Sequence, residues 1–434
     1  MNQPEFKATN NPVFSVTCKI KAAPTLLLPW LCSLALMLAC LAGCTGLDRN
    51  KLAITPLENL KYQADSGNNQ AKAIWASRII ETNTATPQAY SEAFSILASL
   101  GTSNDSDAIY AMSMAYLFGH GREKNCAKAM ELLVKSAEAG NQLAEYRLGQ
   151  RYDLGDCVAQ DLPLAVDYYE LAAEKGLAVA QYNLAVAYSR GEGREQNDEM
   201  AVYWYEKAAA QHYPAALYNI ATRYATGRGL PQNQGEAFKY YLLAGKAGLA
   251  QAQFTLGTIY LANSRAQESP QDYNQALNWF MRAANQGHAR AQYRVSQFYQ
   301  YGWSVEKDLV QATAWLEKSA GNGEKDAQFA LGAAYDRGAG KPKNHKQAIY
   351  WYEQAAKQGH APAMYNLALS YINGEGVKPD YKQAFYWAAS ARAQGLAQAD
   401  TLIKALRRVI SPQQAERINK QIAGCNKSLT GQAI

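Results

Sequence analysis

Between residues 104 and 400 small, apolar and aromatic positions return on a strict period. Tyrosines that precede turns stand at Tyr116, Tyr152, Tyr188, Tyr224, Tyr260, Tyr299, Tyr335 and Tyr371, spaced by 36 residues except for one step of 39. Ala129, Ala165, Ala201, Ala237, Ala276, Ala312, Ala348 and Ala384 keep the same register. So do Gly140, Gly176, Gly248, Gly287, Gly323, Gly359 and Gly395, with His212 in the slot that lacks glycine. Each unit contains two stretches of helical spacing, exemplified by residues 180–188 and 201–209. The pattern therefore predicts two helices per unit, closed by a left-handed cap at Gly140 and its counterparts. Gly-x-Gly turns such as Gly191/Gly193 and Gly338/Gly340 separate one helix from the next.

The flanks carry weaker versions of the pattern. Residues 69–82 and 88–101 predict a degenerate helix pair, suited to covering the apolar end of a repeat stack. Residues 397–409 predict a helix bearing Lys404, Arg407 and Arg408. Ser411-Pro412-Gln413-Gln414 then supplies an N-cap serine, a proline at the first helical position and a glutamine three residues on. This predicts a last short helix to about Ile422.

Composition narrows the class. The 434 residues are 48% hydrophobic and 18% charged, with 29 Tyr and 8 Trp, which disfavours disorder and collagen. The net charge of +6 is spread thinly and no Lys/Arg run exceeds two residues, so nucleic-acid binding is not expected.

The first residues read as an address. Lys19 and Lys21 precede an apolar run from Leu26 to Ala42, broken by Pro29 and ending in Leu41-Ala42-Gly43-Cys44. The segment resembles a bacterial lipoprotein signal, in which the cysteine is acylated and becomes the new N-terminus. The alternative is a transmembrane anchor, but the run is short and holds a proline. Thr45, rather than aspartate, follows Cys44; by this resemblance the chain is expected at the outer membrane, facing the periplasm, with surface exposure as a variant. Loss of residues 1–43 removes three lysines and one glutamate and leaves a net charge of +4. The expected organisation is a signal at 1–43, a tether at 44–56, an N-terminal cap at 57–103, the repeats at 104–400, and capping helices with a tail at 401–434.

A 36-residue helix pair with this Ala/Leu/Gly/Tyr pattern resembles the Sel-one-like repeat, a relative of the tetratricopeptide repeat. The resemblance implies an all-α, right-handed α-solenoid with a concave groove, acting as an adaptor for protein partners. One variant is similar to the solenoid lipoproteins that help assemble exopolysaccharide-export complexes. Departures fall at Leu261–Asn263, where Gly-x-Gly is lost, at a three-residue insertion near Ala266–Gln271, and at Gly302-Trp303; a change of curvature is expected there.

No catalytic constellation emerges, and no cofactor, metal or small-molecule substrate is expected. His288 and His360 share one repeat slot and His212 occupies the glycine slot, which marks turn residues rather than ligands. Gly-x-Gly-Arg at Gly191–Arg194 lacks the preceding strand and the Gly-Lys-Ser/Thr of a phosphate loop. Cys-rich relatives linked to β-lactams carry a cysteine pair in most repeats, which this chain does not; an enzyme acting on β-lactams or peptidoglycan is the alternative of a different class. Cys126 opens a second helix and Cys157 lies in the next unit's turn, so stacking brings them within bridging reach in an oxidising compartment, with two separate thiols as the alternative. Cys425 is left over.

Binding is expected on the first helix of each unit. Counting its early alanine as zero, at 100° per residue slots 0, 2, 4, 5 and 8 carry the apolar side chains, leaving slots 3, 6 and 7 open. Slot 3 holds Arg147, Asn183, Asn219, Thr255, Arg294, Ala330 and Asn366; slot 7 adds Arg151 and Arg223. Such an Asn/Arg ladder donates hydrogen bonds to an extended backbone or to carboxylates. The tryptophans Trp204, Trp279, Trp315, Trp351 and Trp387 lie in second helices among small residues and are read as core.

Overall fold

The computed structural model describes residues 56–82, 84–100, 105–267 and 269–430. All regular elements among these residues are α-helices, 21 in number. The chain divides into two compact units at Asn125/Cys126. Cys44 and the whole leader lie outside the described residues.

The first unit holds α1 (Leu57–Asp65), α2 (Asn69–Glu81), α3 (Pro87–Leu100) and α4 (Ser106–Phe118). Asn68 starts α2 by accepting from Ala71 N at 3.0 Å. His120 stacks on Tyr90 with ring centroids 4.2 Å apart and places Nδ1 2.6 Å from Ile80 O. A turn residue thus ties α2 to α3.

The second unit begins with α5 (Cys126–Glu138). Thereafter helix pairs follow in order: α6 (Gln142–Leu154) with α7 (Leu162–Glu174), α8 (Ala178–Arg190) with α9 (Asp198–Ala210), and α10 (Pro214–Thr226) with α11 (Gln234–Lys246). Next come α12 (Ala250–Gln267) with α13 (Pro270–Asn285), α14 (Ala289–Tyr301) with α15 (Leu309–Gly321), α16 (Lys325–Arg337) with α17 (His345–Lys357), and α18 (Ala361–Asn373) with α19 (Tyr381–Ala393). Each helix packs on its successor, the arrangement of an α-solenoid. The unit closes with α20 (Ala399–Leu406) and α21 (Pro412–Thr430). Arg407 and Arg408 fall in the turn after α20, and α21 runs beyond Ile422.

The repeating sequence marks have definite mechanical roles. Gly155, Gly191, Gly227, Gly302, Gly338 and Gly374 end the first helices in the left-handed region. Second helices open on Asp161, Asn197, Asn233, Asp308, Asn344 and Asp380, whose side chains accept from first-turn N–H groups. The same residues donate their backbone N–H to the carbonyl of the register tyrosine, as Asn197 does to Tyr188 O at 2.9 Å. The second glycine of the turn lies directly on the start of an earlier helix. A Cβ on Gly340 would fall 2.0 Å from Leu309 O, at a φ of +71°. Cys157 and Ser304 occupy this slot with φ of 71° and 62°. Cys157 turns the close approach into a covalent tie, for it is bridged to Cys126 across a Cα–Cα distance of 5.2 Å.

A second tie was not anticipated from the sequence. The buried Gln328 donates Nε2 to Ala320 O at 3.2 Å and accepts from Gln358 Nε2 at 2.9 Å, while Gln358 also donates to Gly323 O at 2.9 Å. The pairs Gln181/Gln211, Gln253/Gln286 and Gln292/Asn322 repeat this clasp. Lys175 and Glu145 form an ionic version, with Lys175 Nζ also 3.2 Å from Gly140 O. In the unit of residues 214–249 both positions switch together, to Leu217 and Ala247, and Leu217 is buried. The buried position is polar only where its partner is polar, as burial demands; at 364 it is the buried Met364, although the exposed Gln394 is retained.

Candidate functional site

The first helices decide which side chains reach solvent. Slot 7 proves to be core: Arg151, Arg223, Phe298 and Ser370 are all buried. The groove role expected for Arg151 and Arg223 is therefore corrected. Arg151 pairs with Asp156. Arg223 donates to Asp198 Oδ1 at 2.8 Å and to Ser189 Oγ at 2.6 Å. Burial pushes the Asp198 carboxyl up, but hydrogen bonds from Arg228 and Arg223 outweigh it and hold the carboxyl below its ordinary range. The physical reason is that each first helix is flanked on two sides, by its own partner helix and by the preceding pair. A wheel drawn for one helix hairpin leaves too wide an open arc.

The open arc is instead made by slots 2, 3 and 6, which are half-buried throughout α6 to α18 except at the exposed Thr258. Slot 2 is aromatic in every unit: Tyr146, Tyr182, Tyr218, Phe254, Tyr293, Phe329 and Tyr365. Their recurrence as apolar residues at helical spacing predicts core; the structure leaves each of them half-buried. Slot 3 keeps Arg147, Asn183, Asn219, Arg294 and Asn366 on the same face, all half-buried. Arg147 and Arg294 donate along their own helices to Gln150 Oε1 at 2.7 Å and Gln297 Oε1 at 2.9 Å. No acidic residue occupies slots 2, 3 or 6 in these seven helices.

Between successive pairs the face is indented. At one junction Asp153, Tyr169, Asn183, Arg190 and Glu192 surround a cavity of about 170 Å³. Tyr169 donates to Asp153 Oδ2 at 3.0 Å, and Asn183 faces the same hydroxyl. Burial pushes the Tyr169 hydroxyl far above its ordinary range and the Asp153 carboxylate adds to the effect, so this phenol stays a hydrogen-bond donor. Tyr352 and Asp336 repeat the contact at 2.9 Å, with Asn366 beside them. The asparagine ladder thus serves the junctions as well as the open face.

The remaining marked residues are structural. His288 and His360 cap their helices, accepting from Ala291 N at 3.2 Å and Ala363 N at 3.1 Å. His212 holds the glycine slot at a φ of 59°. Trp204, Trp279 and Trp315 are buried. Among the described residues no group of three or more His, Cys, Asp or Glu is arranged to hold a metal, and no helix is long and apolar enough to cross a membrane.

The Sel1 repeat pattern matches residues 106–141, 142–177, 178–213, 214–249, 250–288, 289–324, 325–360 and 361–396. No curated protein is significantly similar to the chain. Among solved structures, a protective antigen of uropathogenic Escherichia coli displaying an SLR fold is 25% identical, with 85% of this chain and 94% of that one covered, at a TM-score of 0.45. A Sel1 repeat protein from Oxalobacter formigenes is 29% identical, with 57% and 96% covered, at a TM-score of 0.49. With eight consecutive matches that meet end to end over most of its length, the chain belongs to the Sel1 repeat family.

Proposed function

We propose that the chain is a lipid-anchored scaffold at a bacterial outer membrane that holds partner proteins along the open face of its first helices. Sel1 repeat solenoids are in general scaffolds for protein–protein interaction. The observation that carries the reading is the face itself: seven half-open aromatic rings beside arginine and asparagine, with no carboxylate among them. Tyrosine and arginine are the side chains that contribute most at protein interfaces, because they bury large area and keep a polar tip. The lipobox-like Leu41-Ala42-Gly43-Cys44 supports the anchor, and the Cys126–Cys157 bridge suits an oxidising compartment.

The test is in-cell crosslinking followed by recovery from the membrane fraction, comparing wild type with Arg147→Glu/Arg294→Glu and with Cys44→Ala. The reading expects partners that wild type retains and the charge-reversed chain loses, and release of the Cys44→Ala chain from membranes. Identical partners with both faces would refute the face assignment. Unaltered membrane retention of Cys44→Ala would refute the lipid anchor.

A further inference from the structure

We infer that the junction between α14, α15 and α16 is a socket for an aliphatic side chain of a partner protein, borne next to an aspartate or glutamate; this rests on the scaffold reading above and assigns its anchor point. The argument comes from comparing two copies of one site. The cavity between α6, α7 and α8 and the one between α14, α15 and α16 are lined by residues equivalent in repeat register. In the first, polar groups line the cavity of about 170 Å³. In the second, Asp153 is matched by Gln300, Tyr169 by Leu316, Asn183 by Ala330 and Glu192 by Ala339.

Two of these changes are coupled truncations. The other junctions from α6 to α18 place an aromatic ring at the Leu316 position, namely Tyr169, Tyr205, Tyr241, Phe280 and Tyr352, and none places alanine opposite it, while α5 and α19 carry Leu133 and Ala388 there. With both partners shortened the cavity measures about 210 Å³ against about 170 Å³ at the first junction, with Ala330 in its lining and Tyr293, Phe329 and the 56% exposed Tyr301 as walls. This lies below the roughly 300–1,000 Å³ of small-molecule sites, which suits one side chain rather than a free ligand.

Charge selects the neighbour of that side chain. The arginine of the site is kept, Arg190 being matched by Arg337. Arg190 has Glu192 at 3.6 Å, but alanine stands at the equivalent position 339. Arg337 donates Nε to Ala333 O at 3.1 Å and has no ion-pair partner among the described residues. Arg294 bonds the lining residue Gln297 from outside the lining and has no carboxylate partner among those residues. A hollow with Leu316, Ala330 and Phe329 among its lining and the Arg337 guanidinium at its edge complements an acidic–aliphatic segment and disfavours a basic one.

The experiment measures binding of short blocked Gly/Ser peptides with a central Leu-Glu, Ser-Glu, Leu-Gln or Leu-Lys to the purified full chain by fluorescence anisotropy. The Leu-Glu peptide should bind about tenfold or more tighter than the other three, and Leu316→Tyr/Ala330→Asn, which restores the pair found at other junctions, should abolish that preference while the thermal transition is kept. Arg337→Gln should reduce Leu-Glu binding to the level of Leu-Gln. Equal binding of all peptides, or an unchanged preference in the filled variant, overturns the socket. The filled variant is also carried through the crosslinking comparison. If it keeps every partner while the peptides show no preference, the socket fails and the scaffold stands. If wild type itself captures nothing dependent on the face, the scaffold reading fails.

Discussion

The glutamine clasp offers the sharpest check on how neighbouring units are joined. Replacing Gln358 by alanine removes its bonds to Gly323 O and to Gln328 Oε1, and leaves the latter buried without a donor. An unsatisfied buried acceptor costs about 1–3 kcal/mol, so this change should destabilise the local structure by about 2 kcal/mol. Replacing Gln328 by leucine removes two hydrogen bonds worth about 1 kcal/mol each, partly offset by buried apolar surface. The double change recreates Leu217/Ala247, a combination the chain already uses. It should cost no more than the worse single variant, a coupling of about 1–2 kcal/mol. Because repeat arrays unfold in parts, hydrogen exchange of the amides around residues 320–330 is the informative assay, with urea midpoints beside it. Costs that add within about 0.5 kcal/mol would refute the clasp as a pairwise unit.

Other outcomes follow from the same geometry. Gly340→Ala combines left-handed strain of about 1–2 kcal/mol with a Cβ 2.0 Å from Leu309 O, whereas Gly248→Ala at φ +94° meets nothing within 4 Å; calorimetry should find the first clearly more damaging, and equal losses would refute the close-contact account. Reduction of Cys126–Cys157, which closes a loop of 31 residues, should cost about 3–4 kcal/mol, and Cys126→Ser/Cys157→Gly should recover about 1 kcal/mol of it relative to a double serine variant because residue 157 sits at φ 71°. Burial holds the His288 and His360 imidazoles below their ordinary pKa, with Asp326 offsetting part of the effect at His360. The unfolded chain therefore takes up protons first, and stability should fall as pH drops through about 6.5. His288→Asn/His360→Asn keeps the caps and should flatten this dependence in thermal melts; an unchanged slope would place the titration elsewhere.

How much of this was readable from the residues depends on whether a feature repeats alone or in company. The helix pairs, their Gly stops and their Asp/Asn starts are local signals, and eight copies amplify them. The open face was only half legible: slot 3 was placed correctly beside solvent, but Arg151 and Arg223 were put there too, since a helical wheel knows nothing of the preceding pair that buries them. The slot 2 aromatics were hidden by the opposite error, since their recurrence as apolar residues reads as core. The glutamine clasp left a trace that could have been found. Positions 181 and 211 carry glutamine together, as do 328 and 358, and at 217 and 247 both become apolar at once. Paired switching of this kind signals contact, whereas either position alone looks like surface. The truncations at Leu316 and Ala330 become visible only when the two sides of one junction are read together.

The overlong α12 bears on how such an array changes length. Most first helices span 13 residues and stop at a left-handed glycine; α12 has Asn263 where that glycine would stand and continues to Gln267, 18 residues in all. At about 1.5 Å per residue, the extra five residues project roughly 7.5 Å beyond the usual stop. The unit with this longer helix is also the one that spans 39 residues rather than 36. Elsewhere the tight glycine–carbonyl contact fixes how far the chain travels before it must turn back, so an insertion there would displace the neighbouring unit. Here the added residues are absorbed lengthwise by a helix, and the repeats before and after keep their register. The end of α12 is therefore the natural graft point for foreign sequence, such as a reporter loop or a second binding module, in a protein otherwise intolerant of altered spacing.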